Sequence, residues 1–169
     1  MTITPMWSLS NLTICVRIID NSALRAELFI FTMSFYDLDW YIEMRYHRTV
    51  AQIFAERGED GFREIERNML HEAAEFQDIV LSCGGGTPCF FDNMEYMNSL
   101  AETVYLKATP EVLAMHLKMG KIERPLIKGK TDEELLQYIK DSLKVREPFY
   151  MQAKRPTSRC DQRCGILSR

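Results

Sequence analysis

Three short apolar runs, at 34–38 (SFYDL), 78–82 (DIVLS) and 102–106 (ETVYL), alternate with longer stretches whose apolar residues recur at helical spacing. Strands separated in this way are joined by crossovers instead of hairpins, and helical crossovers leave their strands parallel. The pattern therefore predicts an α/β fold: a parallel sheet with helices on both faces, three layers deep.

The intervening segments support that reading. Ile65, Met69, Leu70 and Ala73 mark a helix within 60–76, and Val112, Leu113, His116 and Leu117 mark another within 109–119. Pro110 suits a first helical turn, where its missing N–H costs nothing. The stretch 120–131 (GKIERPLIKGKT) combines glycine, proline and basic residues and reads as a surface loop. Thr131-Asp132-Glu133-Glu134 is a capping signal for a last helix at 132–147, expected to end before Pro148.

Charge and apolar run length exclude several partners. A net charge of −3 offers no basic field for a polyanion, so no nucleic-acid partner is expected. No apolar run approaches the roughly 20 residues that cross a bilayer, and no positive start precedes the N-terminal apolar segment, so a soluble, cytoplasmic chain without membrane contact is expected. Five cysteines, at 15, 83, 89, 160 and 164, are an odd set that fits reduced thiols better than a disulfide framework. The Cys160/Cys164 pair lacks the further ligands of a metal site.

Several residues carry chemistry. Asp37 and Asp39 close the run at 34–38, and two-residue spacing on a strand directs both to one side. Beyond the carboxyl end of a strand, such a pair can hold a metal or accept a hydroxyl proton, although a strand end or a helix cap also uses aspartate. Gly84, Gly85 and Gly86 follow the second run and let backbone N–H groups approach a ligand. Arg63 and Glu66, three apart on a helix, read by themselves as a surface pair. Arg146 reads as a helix C-terminal charge and Arg124 as a solubilising one.

In their order along the chain, FYDLDWYIE at 35–43, TVAQIFAERGEDGFREIER at 49–67, IVLSCGGGTP at 79–88, RPLI at 124–127 and VREPFY at 145–150 resemble shikimate kinase. The resemblance covers 34–154 and implies a P-loop kinase-like fold that transfers the γ-phosphate of ATP, with Mg²⁺, to the 3-hydroxyl of shikimate on the route to chorismate and the aromatic amino acids. It implies that Asp39 meets the substrate hydroxyls as catalytic base, that Asp37 supports the magnesium shell through water, and that Arg63 and Arg146 grip the carboxylate. Gly84, Gly85 and Gly86 would add backbone contacts. Helices within 40–76 would form the substrate-binding part, 120–131 the lid, and Arg124 would reach the ATP phosphates. Monomers are the family's usual state.

The ends depart from the family pattern. A phosphate-binding G-x-x-x-x-G-K-[ST] belongs upstream of the Asp37 strand, yet the first glycine is Gly58 and the first lysine Lys107. Residues 1–33 thus form a divergent segment, in which 12–19 is the one candidate for the family's central first strand. Residues 155–169 do not read as the strand and helix that would complete a nucleotide pocket, and a disordered tail is expected there. The sheet is accordingly expected to be incomplete at its first and last strands. The alternative to an active kinase is a shikimate-binding remnant without the ATP phosphate loop.

Overall fold

The structure, a computed structural model, describes residues 14–18, 34–119 and 131–157. Its elements are β1 (Ile14–Ile18), β2 (Ser34–Asp37), α1 (Leu38–Tyr46), α2 (Val50–Ala74), β3 (Ile79–Cys83), α3 (Asn93–Leu100), β4 (Glu102–Leu106), α4 (Pro110–Met119), α5 (Asp132–Tyr150) and β5 (Arg155–Thr157). A 3-10 turn at Thr87–Cys89 joins the glycine loop to α3. The five strands form one sheet in the order β2-β3-β1-β4-β5. The α/β class expected from the sequence is what forms.

β2 pairs with β3 and β4 with β5 in parallel, whereas β1 is antiparallel to both of its neighbours. The segment 12–19 thus contains the central strand, but it runs against the other four. Ile18 and Ser34 both lie opposite Ile79, so β1 ends at the edge of the sheet where β2 begins. A parallel β1 would instead end level with Asp37, at the opposite end of the strands from Ser34.

The core lies where the helices meet the sheet. Leu38, Ile42, Leu70, Ala73, Leu81, Tyr105 and Tyr150 have at most 1% of their surface exposed. Each buried aliphatic of this size contributes about 1.5–3 kcal/mol relative to exposure. α2 starts with a capping box in which Thr49 and Gln52 satisfy each other's backbone N–H groups. Its regular path breaks at Gly58, whose φ of 71° only glycine adopts without strain. The substrate-binding stretch expected at 40–76 is therefore two elements, α1 and a kinked α2.

Two C-terminal expectations need correction. α5 begins at the predicted Thr131–Glu134 capping box, but it passes through Pro148 and ends at Tyr150. Tertiary packing overrides the proline: the Tyr150 ring lies 5.2 Å from that of Tyr105, and both side chains are fully buried. The ordered body also extends past 154, because Arg155–Thr157 pairs with β4. The fully buried Thr103 hydroxyl accepts from the Lys154 N–H at 2.9 Å, and the Lys154 ammonium donates to the Ala101 carbonyl at 2.9 Å. An Arg155–Glu102 ion pair follows. Residues 158–169 lie outside the described residues.

Candidate functional site

β2 and β3 run in parallel with Asp37 opposite Ser82, so Asp37 and the loop Gly84–Gly86 leave the sheet at the same, carboxyl, end. The chain turns helical at Leu38, and the strand alternation expected to align Asp37 with Asp39 does not apply. Asp37 is instead the N-cap of α1: its Oδ1 accepts from the Trp40 N–H at 3.0 Å. Asp39 sits in the first turn of that helix. Burial raises the Asp37 pKa above the usual value and Glu43 adds to the rise, against hydrogen bonds from the Trp40 and Asp39 backbones.

Arg63 is not the surface residue that its spacing to Glu66 suggested. Its side chain is 11% exposed and that of Glu66 2%. Arg63 Nη1 donates to Glu66 Oε2 at 2.8 Å, and Glu66 Oε1 accepts from the Thr87 hydroxyl at 2.7 Å. Arg63 Nη2 reaches Glu59 at 3.3 Å, and the guanidinium lies 4.2 Å from the centre of the Phe90 ring. The Thr87 carbonyl in turn accepts from Asn93 Nδ2 at 2.9 Å. A Cβ on Gly86 would sit 2.7 Å from Arg63 Nη1, so the guanidinium fits only because residue 86 has no side chain. The buried Arg63 Nε has no hydrogen-bond partner among the described residues.

The other side of the loop is held by α5. The Tyr150 hydroxyl donates to the Gly85 carbonyl at 2.5 Å, and the Cys89 thiol lies 3.5 Å from the same oxygen. Burial pushes the Cys89 thiol pKa up, opposed by the positive charges of Arg146 and Arg63. Tyr150 is likewise raised by burial, with Arg146 pulling the other way. The charges of both arginines, from α2 and α5, thus reach the Cys89 thiol at the end of this loop. The loop glycines serve two purposes: Gly86 admits Arg63, and Gly85 supplies the carbonyl that anchors Tyr150.

Sequence reasoning missed Glu66, Thr87, Phe90, Asn93 and Tyr150 as builders of this site. For Glu66 a signal existed: it lies within the buried stripe Phe62, Ile65, Met69, Leu70, Ala73 of α2, where an unpaired carboxylate is not tolerated. Arg124 and the lid segment 120–130 lie outside the described residues; Thr131, at the end of the expected lid, is the N-cap of α5. Among the described residues no group of three or more His, Cys, Asp or Glu is arranged to hold a metal, and no helix is long and apolar enough to cross a membrane.

The model of the family "Shikimate kinase" matches residues 30–164, further at both ends than the motifs alone reached. A shikimate kinase of Phocaeicola vulgatus is 59% identical over 73% of this chain and 70% of its own length. One of Parabacteroides distasonis is 61% identical over 72% and 70%. The crystal structure of the Bacteroides thetaiotaomicron shikimate kinase superposes with a TM-score of 0.72 at 54% identity, covering 75% of this chain and 72% of that one. The Acinetobacter baumannii shikimate kinase in complex with shikimate gives 0.64 at 31% identity, over 74% and 68%.

Proposed function

The chain belongs to the shikimate kinase family, and from that premise we propose that the Arg63, Arg146 and Gly84–Gly86 site binds shikimate. Members of the family move the γ-phosphate of ATP to the 3-hydroxyl of shikimate and use Mg²⁺. The observation that carries the reading is the buried Arg63 Nε beside the glycine loop, a donor without an acceptor among the described residues. A ligand carboxylate satisfies such a group, and guanidinium is the cation whose planar donors match it in bidentate fashion.

Each group has a distinct task in this reading. Glu66 holds the Arg63 plane through one oxygen and the loop residue Thr87 through the other, so cation and loop keep one geometry. Arg146 adds the second positive charge from α5. Asp39, in the first turn of α1, faces the substrate hydroxyls and accepts the 3-hydroxyl proton. Asp37 supports the magnesium shell through water, and Arg124, with the lid at 120–131, meets the ATP phosphates. The chain acts as a monomer.

The ATP half does not fit as well as the substrate half. No G-x-x-x-x-G-K-[ST] occurs in the sequence, and Asp37 already commits one carboxylate oxygen to the Trp40 N–H. β1 delivers its carboxyl end to the opposite edge of the sheet from Asp37 and the glycine loop. Ile18 therefore lies far from the end of the sheet where Asp37 and the glycine loop would meet substrate and phosphates. These three observations favour a second reading for this chain, a shikimate-binding protein that has lost phosphate transfer. Removing even one preorganised transition-state donor costs about 10²–10³ in rate.

Calorimetric titration of shikimate and of Mg-ATP, each on wild type and Arg63→Ala, tests both readings when combined with an ADP-release assay. Shikimate binding that disappears in Arg63→Ala supports the site; a wild type that does not bind shikimate refutes it. ADP release dependent on shikimate selects the kinase, and binding without turnover selects the remnant.

A further inference from the structure

We propose that the chain has a second ligand site, for a small organic anion, between the carboxyl end of β4, the first turn of α4 and the middle of α5. A cavity of about 520 Å³ opens there, within the range that holds small molecules. It is separate from the glycine loop and takes none of the residues assigned to shikimate.

Charge decides the ligand class. Lys107, Lys140 and Lys144 line the cavity against a single lining carboxylate, Glu147. Lys140 and Lys144, four apart on α5, project from the same helix face. Glu147 is engaged by the Lys107 ammonium at 2.5 Å, so the lining carboxylate is already neutralised. Glu111, on α4, lies within electrostatic reach of Lys140, but no carboxylate among the described residues forms an ion pair with Lys140 or Lys144. The wall keeps an excess of positive charge that an anion offsets.

A second, independent observation points the same way. Tyr105 is fully buried, lines the cavity, and its hydroxyl has no hydrogen-bond partner among the described residues. Buried hydroxyls without partners are rare, and an acceptor oxygen supplied from the cavity satisfies this one. Ala108, Val112 and Leu143 make the remaining wall apolar. The matching ligand carries a phosphate or carboxylate head on a compact apolar body.

Phenyl phosphate is the probe, with benzoate to separate carboxylate from phosphate heads and phenol as the neutral control. Titration of the full chain at low salt, followed by calorimetry or amide chemical shifts, is expected to show saturable binding of phenyl phosphate and not of phenol. The double variant Lys140→Ala/Lys144→Ala, both at exposed positions, should weaken it about tenfold, as the loss of about 1.4 kcal/mol does. Tyr105→Phe should weaken it several-fold, and Arg63→Ala should leave it unchanged. Absence of saturation at about 10 mM, equal binding by the double variant, or equal binding of phenol would overturn the proposal.

Discussion

Gly86→Ala tests how the site is built, because two effects of opposite sign compete at that position. The backbone there has φ −77° and ψ −43°, right-handed helical values that alanine accepts without strain. On backbone grounds alone the substitution stabilises by about 0.4–1 kcal/mol, through the entropy of the unfolded chain. The new Cβ, however, meets Arg63 at 2.7 Å from Nη1, 2.9 Å from Nη2 and 3.0 Å from Cζ. A long arginine usually swings aside, but this one is held by Glu66, Glu59 and the Phe90 ring. Overpacking of this kind costs about 1–3 kcal/mol, which outweighs the entropic gain. Urea unfolding should therefore show Gly86→Ala destabilised by about 1–2 kcal/mol, with shikimate binding weakened as the guanidinium is displaced. In an Arg63→Ala background the clash is gone, and the same substitution should stabilise the protein by the backbone amount. A Gly86→Ala effect with the same destabilising sign in both backgrounds would refute the claim that Arg63 is what requires glycine at 86.

Glu66→Ala leaves the largely buried Arg63 cation without its main partner, and chemical denaturation should register a loss of about 3–5 kcal/mol, with Glu66→Gln less affected. Tyr150→Phe removes the donor to the Gly85 carbonyl and should cost about 1 kcal/mol in the same assay while loosening the glycine loop, seen as faster amide exchange at 84–86. Thr131→Ala, which deletes the side-chain half of the α5 capping box, should cost about 1 kcal/mol. The raised Asp37 pKa means that the folded state holds this proton more tightly than the unfolded chain, so the group favours folding when protonated and opposes it once ionised. As pH falls from 7 toward about 4, the melting temperature of wild type should rise relative to that of Asp37→Asn, which keeps a capping side chain; a constant difference would contradict the burial argument.

The sequence by itself determined what local periodicity and short-range chemistry control. The strands at 34–38, 78–82 and 102–106, the start of α5 at Thr131 and the role of Pro110 are all visible because strand alternation, capping and proline geometry act within a few residues. The family was legible too, since motif order along a chain needs no coordinates. Tertiary structure decided the rest. The direction of β1 is not readable from its own residues, because Ile14, Cys15, Val16, Arg17 and Ile18 can form backbone ladders with β3 and β4 in either sense. Pro148 stays inside α5, two residues before a fully buried Tyr150 whose ring packs against that of Tyr105, a tertiary contact that no local rule shows. Asp37 and Asp39 part company because the chain becomes helical between them. Arg63 and Glu66 looked like a solvated pair at spacing three; only the fold, by laying the Thr87 hydroxyl and Gly86 over them, turned that spacing into a buried, directed cation.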